Sequence, residues 1–150
     1  MRSCFELSNG VQMPKIGFGT YKSTDGSDEC VISQALEAGY RLLDTAAAYK
    51  NEEQVGKAIT RSGISRKEIF LTSKVWKTDL GYENTKKSFQ ESLERLQTDY
   101  LDLFLLHWPK PDPEFADWKE LDRESWRALE ELYKEGKVRA IGVSNFLPHH

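Results

Sequence analysis

Asp44, Tyr49, Lys74 and His107 are residues of the types that move protons, and each falls at or just past the end of an apolar run. His107 follows Leu101–Leu106, a stretch that reads as a strand buried on both faces, and Pro109 stops it two residues later. Lys74 interrupts IFLTSKVW, otherwise a core strand, although lysine is rarely buried without a partner. Asp44 closes RLLD, and Tyr49 lies in the loop that follows. A carboxylate, a phenol, an ammonium and an imidazole at one place could carry general acid–base chemistry. A lysine at a strand end could instead form a Schiff base with a carbonyl substrate, as in an aldolase. Each residue alone has a plainer explanation. A histidine beside a tryptophan is commonly packing at a rim, Asp44 before Thr45 could cap a turn, and Tyr49 could be a surface aromatic. Trp76 and Trp108 could equally be packing. His149 and His150 are adjacent, would point apart on a helix, and give no metal expectation.

The elements that would position these groups alternate between two periods. Phe5–Met13 carries Asn9-Gly10 between short alternating segments and predicts a hairpin with a two-residue type I′ turn. Strands are then predicted at Ile16–Gly19, Arg41–Asp44, Ile69–Val75, Leu101–Leu106 and Ala140–Val143. Helices are predicted between them. Ser27–Ala38 has Val31, Ala35 and Ala38 on one face, and Asn51–Ser62 opens with an Asn cap and Gln54 as a capping-box partner. Tyr82–Leu96 carries Phe89, Leu93 and Leu96, and Asp122–Glu135 carries Trp126, Leu129 and Tyr133. Gly39, Gly63 and Gly136 are the expected stops. The Pro- and acid-rich run 109–121 reads as a long loop. Strand starts roughly 30 residues apart are the repeat of a βαβ unit, so a parallel sheet with flanking helices follows. The first strand-to-helix loop, GFGTYKSTDG, lacks the G-x-G-x-x-G of a doubly wound dinucleotide fold. The reactive residues instead all fall at C-terminal strand ends, where a (β/α)8 barrel carries its chemistry.

Composition narrows the class further. At 150 residues the chain holds one domain with a real core, and its formal charge of -3 is mild. Lys and Arg are interleaved with Asp and Glu, so no nucleic-acid surface is expected. No apolar run approaches the ~20 residues of a membrane span, and MRSCFELSNG has no apolar leader core. Cys4 and Cys30 have neither metal-ligand spacing nor a disulfide framework and read as reduced thiols of a cytoplasmic protein.

The runs GFGTYK, LLDTAAAYKNEEQVGKAI, LTSKVW, DYLDLFLLHWP and KVRAIGVSNF, in this order, resemble the aldo-keto reductase superfamily. Within it they are most similar to the bacterial and plant-type 2,5-diketo-D-gluconate or glyoxal reductases. The resemblance implies a (β/α)8 barrel of which this chain is the N-terminal portion: the hairpin and about the first four to five βα units. It implies NADPH (NADP) as cofactor, with NADH left open, no metal, a small carbonyl substrate and a monomeric full-length form. Tyr49 would be the proton donor in a tetrad with Asp44, Lys74 and His107. Gly19, Thr20, Asp44, Ser144 and Asn145 would meet the nicotinamide and its ribose. Tyr21, Trp76, His107 and Trp108 would wall the substrate pocket, Tyr21 at a position where the family often has Trp.

The chemistry fits these roles. Hydride delivery to a carbonyl builds negative charge on oxygen, so an acid and fixed donors must wait there. An unassisted phenol, with a pKa of ~10, is a weak acid. An ammonium ~4 Å away stabilises the phenolate by at most ~4 kcal/mol at an effective dielectric of 20. Two other classes stay open: a non-catalytic member acting as a cofactor-sensing or structural subunit, and a Schiff-base aldolase using Lys74.

Overall fold

A computed structural model describes residues 3–24, 29–109 and 117–150. The chain opens on an antiparallel pair, β1 (Cys4–Glu6) and β2 (Gln12–Pro14), with Phe5 opposite Met13. The hairpin is present, but its turn is not the two-residue type expected. The Gly10 amide donates to the Leu7 carbonyl, and only Gly10 adopts positive φ, at 83°. This is a three-residue loop closed by a glycine bulge. Asn9, freed from a left-handed backbone, donates through Nδ2 to the Arg139 carbonyl at 2.8 Å and docks the hairpin on the far end of the chain.

Five parallel strands follow in chain order: β3 (Phe18–Gly19), β4 (Leu42–Asp44), β5 (Phe70–Val75), β6 (Leu101–Leu106) and β7 (Val138–Val143). Four helices cross between them: α1 (Cys30–Glu37), α2 (Glu52–Arg61), α3 (Tyr82–Leu96) and α4 (Trp118–Lys134). The expected elements are all found, with shifted ends. β3 omits Ile16 and Gly17, β7 begins two residues early at Val138, and α4 begins at Trp118 within the expected loop. The rest of that loop, 110–116, lies outside the described residues, as do 25–28 at the expected start of the first helix. Two helix faces are also rotated. α1 buries Ile32, Ala35 and Leu36 and leaves Val31 exposed, and α4 buries Ala128, Leu129 and Leu132 and exposes Tyr133. In both cases an apolar residue one position away competes for the same stripe, and packing chooses between them.

Register fixes what each face carries. Lys74 pairs with Leu105 and Leu105 with Gly142, so these share one face of the sheet. Ser73, Phe104 and Ile141 lie on the other, where the helices pack; Phe89 of α3 meets Phe104 edge-on at 5.0 Å. At the opposite end of the strands Asp102, fully buried, ties three of them together. Its Oδ2 accepts from Arg66 Nη1 (2.9 Å) and the Leu71 amide (3.0 Å), and its Oδ1 from Arg139 Nη1 (2.7 Å). The core therefore sits between sheet and helices, while half-buried Leu103 and Leu105 line the concave face.

Candidate active site

The loop after β4 is built to bring a tyrosine back over the sheet. The Thr45 amide extends the ladder to the Thr72 carbonyl, and residues Ala47–Tyr49 then form a single 3-10 turn closed from the Tyr49 amide to the Ala46 carbonyl. Lys50 leaves that turn in the left-handed region (φ 59°), so the chain reverses into α2. The Tyr49 hydroxyl thereby lies 3.5 Å from Lys74 Nζ. Lys74, whose side chain is only 7% exposed, also donates to Asp44 Oδ1 at 2.6 Å and to the Thr45 carbonyl at 2.9 Å. Three acceptors surround one nitrogen, the arrangement of an ammonium with all its hydrogens directed.

His107 completes the group. Its amide donates to the Val75 carbonyl just past β6, and its ring stands edge-on to Tyr49 (5.6 Å) and to Trp76 (5.2 Å). Burial, and secondarily the Lys74 charge, push the imidazole pKa down to about 4 against a smaller opposing pull from Asp44. The ring is thus neutral near pH 7. Its Nδ1 is buried without a hydrogen-bond partner among the described residues, which leaves Nε2 as the nitrogen a ligand can meet.

Of these side chains Tyr49 and His107 open on a cavity of about 720 Å³, whereas Asp44 and Lys74 are not among its lining residues. Tyr21, Trp76, His107 and Trp108, the residues expected as walls, all line it beside Tyr49. Tyr21 leans on Tyr49 with ring centroids 5.0 Å apart, and Tyr21 and Trp108 are exposed at the mouth. Lys50, Thr78 and Asp79 line it as well. None of the three was singled out from sequence, although Thr78 and Asp79 lie in the strand-end loop right after Trp76.

The residues expected to meet a nicotinamide span the mouth of the sheet from one edge strand to the other. Gly19 ends β3, Asp44 ends β4, and Ser144 and Asn145 follow β7. A side chain at Gly19 would meet no atom within 4 Å, so there is open space over that backbone. Asn145 gives Nδ2 to the His107 carbonyl (2.8 Å) and to Ser144 Oγ (3.1 Å). That leaves an amide oxygen as acceptor beside a hydroxyl as donor, the complement of a carboxamide. Thr20 is fully buried; its hydroxyl turns to the Asp44 carbonyl (3.1 Å), and it acts on this region through the loop it holds.

Two further side chains belong to the site's frame: Asn51, expected as a helix cap, and Glu52, not singled out from sequence. Asn51 occupies the position before α2 but makes no capping hydrogen bond; its amide turns inward to Thr20 and Thr45. Glu52, 1% exposed, accepts from Ser73 Oγ (2.6 Å), Ser92 Oγ (3.2 Å) and Arg95 Nε (2.7 Å). Asn51 with Gln54 reads as a capped helix start from sequence, and only tertiary structure reveals the inward turn of Asn51.

The Aldo/keto reductase family matches residues 15–150. The glyoxal reductase of Bacillus subtilis is 52% identical over 151 residues, covering all of this chain and 52% of its own length. The chain thus spans about half the length of the curated relatives it matches. An aldo/keto reductase from Brucella melitensis superposes with a TM-score of 0.91 at 47% identity, over 99% of this chain and 56% of that one. An aldo-keto reductase from Bombyx mori, solved in complex with NADP, superposes at 0.83 with 36% identity, over 97% and 51% of the two chains. The five parallel strands and four helices are those of an incomplete (β/α)8 barrel. With the family matched over residues 15–150 and solved relatives superposing on nearly the whole chain, the chain belongs to the aldo/keto reductase family.

Proposed function

We propose that residues 1–150 are the N-terminal portion of a single barrel that reduces small aldehydes and ketones to alcohols with NADPH, Tyr49 serving as proton donor. The observation that carries this reading is Tyr49 between the Lys74 ammonium and the neutral His107 on the wall of one cavity. A bound dihydronicotinamide would supply a hydride to the carbonyl carbon. The protein's part is to receive the charge that develops on oxygen. Tyr49 Oη gives its proton to that oxygen, the O–H bond of the phenol breaks as the alcohol O–H forms, and Lys74 stabilises the phenolate left behind. Asp44 and the Thr45 carbonyl hold Lys74 against Tyr49. His107 orients the carbonyl through Nε2, and Trp76 and Trp108 give an apolar wall against water. Ser144 and Asn145 would hold the carboxamide, with Gly19 and Asp44 beneath the nicotinamide ribose. The name of the Bacillus relative favours a small dicarbonyl such as glyoxal, and the NADP complex of the Bombyx relative favours the phosphorylated cofactor. We read the full-length form as a monomer of the cytoplasm.

A Schiff-base role for Lys74 fits less well, because its nitrogen is committed to three acceptors rather than presented to the cavity. In the complete barrel carrying this sequence, Tyr49→Phe is expected to lower kcat for glyoxal reduction by ~10²–10⁴-fold while NADPH affinity stays near wild type. Retention of near wild-type kcat would end the assignment.

A further inference from the structure

Asn51 is 2% exposed, stands where a helix cap is expected, and does not cap. Its Nδ2 donates to the Thr20 carbonyl at 2.6 Å and its Oδ1 accepts from Thr45 Oγ1 at 3.1 Å. Thr20 and Thr45 are both fully buried. A buried amide satisfied on both of its ends, by two loops that belong to different strands, is a cross-tie rather than a local turn device.

What the two loops do next gives the tie its meaning. The Thr45 carbonyl is one of the three acceptors of Lys74 Nζ, at 2.9 Å. Thr20 precedes Tyr21, whose ring leans on Tyr49 with centroids 5.0 Å apart. Asn51 itself follows Tyr49 by two residues, across the left-handed Lys50. One side chain therefore ties the cation that faces the phenol, the loop of the aromatic that touches it and the exit of the turn that carries it.

We propose that Asn51 is a positioning residue for proton donation: by tying Thr20 to Thr45 it sets the Lys74–Tyr49 geometry. The proposal rests on the reading of Tyr49 as the acid. A purely structural Asn51 would matter for stability and leave the chemistry of each folded molecule unchanged. A positioning Asn51 would matter for the proton step, where a displacement of order 1 Å can cost ~10²-fold.

The test is made in the complete barrel, with NADPH and glyoxal. Asn51→Ala is expected to lower kcat ~10- to 100-fold per folded active site, with KM for NADPH within about twofold of wild type. The solvent deuterium isotope effect on kcat should rise, because proton donation becomes the slow step. Thr45→Val removes the nearer of the two hydroxyls that face Asn51 Oδ1, leaving that of Thr20 at 3.5 Å, and keeps the Thr45 carbonyl and the chain path. It should show the same split in weaker form, and the double variant should lose less than the sum of the two single effects. If Asn51→Ala fails to fold, Thr45→Val decides by the same two readouts. A kcat within about twofold of wild type, or a loss matched by the unfolded fraction with an unchanged isotope effect, overturns the proposal. Tyr49→Phe separates the two ideas. An active Tyr49→Phe ends the proton-donor reading, whereas an inactive Tyr49→Phe beside a fully active Asn51→Ala ends only the positioning role.

Discussion

His107 shows how one buried side chain makes both a chemical and a stability statement. Its pKa of about 4 in the fold lies below the ordinary 6.5, so the folded state resists a proton that the unfolded chain accepts. Above about pH 6.5 neither state is protonated there and the group contributes no pH dependence. As pH falls from 6.5 towards 4 only the unfolded chain binds the proton, and stability is lost, by at most about 3 kcal/mol. The His107 ring signals followed by NMR should stay those of neutral imidazole from pH 8 down to 5.5 and move only near pH 4; a midpoint near 6.5 would contradict the burial argument. The reduction rate should accordingly show no inflection from this group near neutrality. At Lys74, replacement by methionine keeps the bulk and removes the charge. We expect Lys74→Met to lower kcat by ~10²–10³-fold, the scale of removing one preorganised charged donor. Steady-state kinetics on the complete barrel would check it, and an unchanged kcat would remove Lys74 from the mechanism.

At the scale of elements, the strand ends away from the cavity are held by Asp102 and its two arginines. Asp102→Asn keeps the shape but turns one acceptor into a donor, and each carboxylate oxygen already faces N–H groups. Whichever way the amide lies, two donors meet in a buried place, so a loss of about 3–5 kcal/mol is expected in urea unfolding. A loss below about 1 kcal/mol would mean that the three strands are tied elsewhere. The elements themselves were largely legible, and for a physical reason. β5 is buried along its whole length and β6 is apolar at every position but Asp102, and α3 has a single unambiguous stripe. Illegible features depended on distant partners. Val31 and Ile32 are equally apolar neighbours, and the sheet decides which is buried. Asn9-Gly10 has the composition of a type I′ turn, yet Asn9 is recruited by Arg139, 130 positions away. The positions of Asp44, Tyr49, Lys74 and His107 could be read from strand ends, whereas the inward turn of Asn51 could not, because one of its partners, Thr20, lies 31 positions away on the loop of another strand.

For the whole molecule the sheet has two outer strands, β3 and β7, each paired on one side only among the described residues. Unpaired backbone donors and acceptors invite pairing with other chains. The concave face adds half-buried Leu103 and Leu105. Residues 1–150 produced alone are therefore expected to self-associate and to bind NADPH weakly, although all four tetrad residues are present. Sedimentation together with cofactor titration checks this. A well-folded monomer with micromolar NADPH affinity would show that the five strands are self-sufficient.

Because spatial order in the sheet follows order in the chain, assembly can proceed in the direction of synthesis. Each of β4 to β7, emerging from the ribosome, finds one partner already made. Asp44 and Lys74 can meet once β5 is out, and His107 joins them with the next unit, before β7 exists. At ~5–20 residues per second, the interval between successive strands is a few seconds, long compared with the closure of a short loop. The nascent protein then advances with one moving edge, while β3 stays as a fixed edge. Ribosome-stalled chains of increasing length should gain protease resistance in steps, one for each added strand and helix.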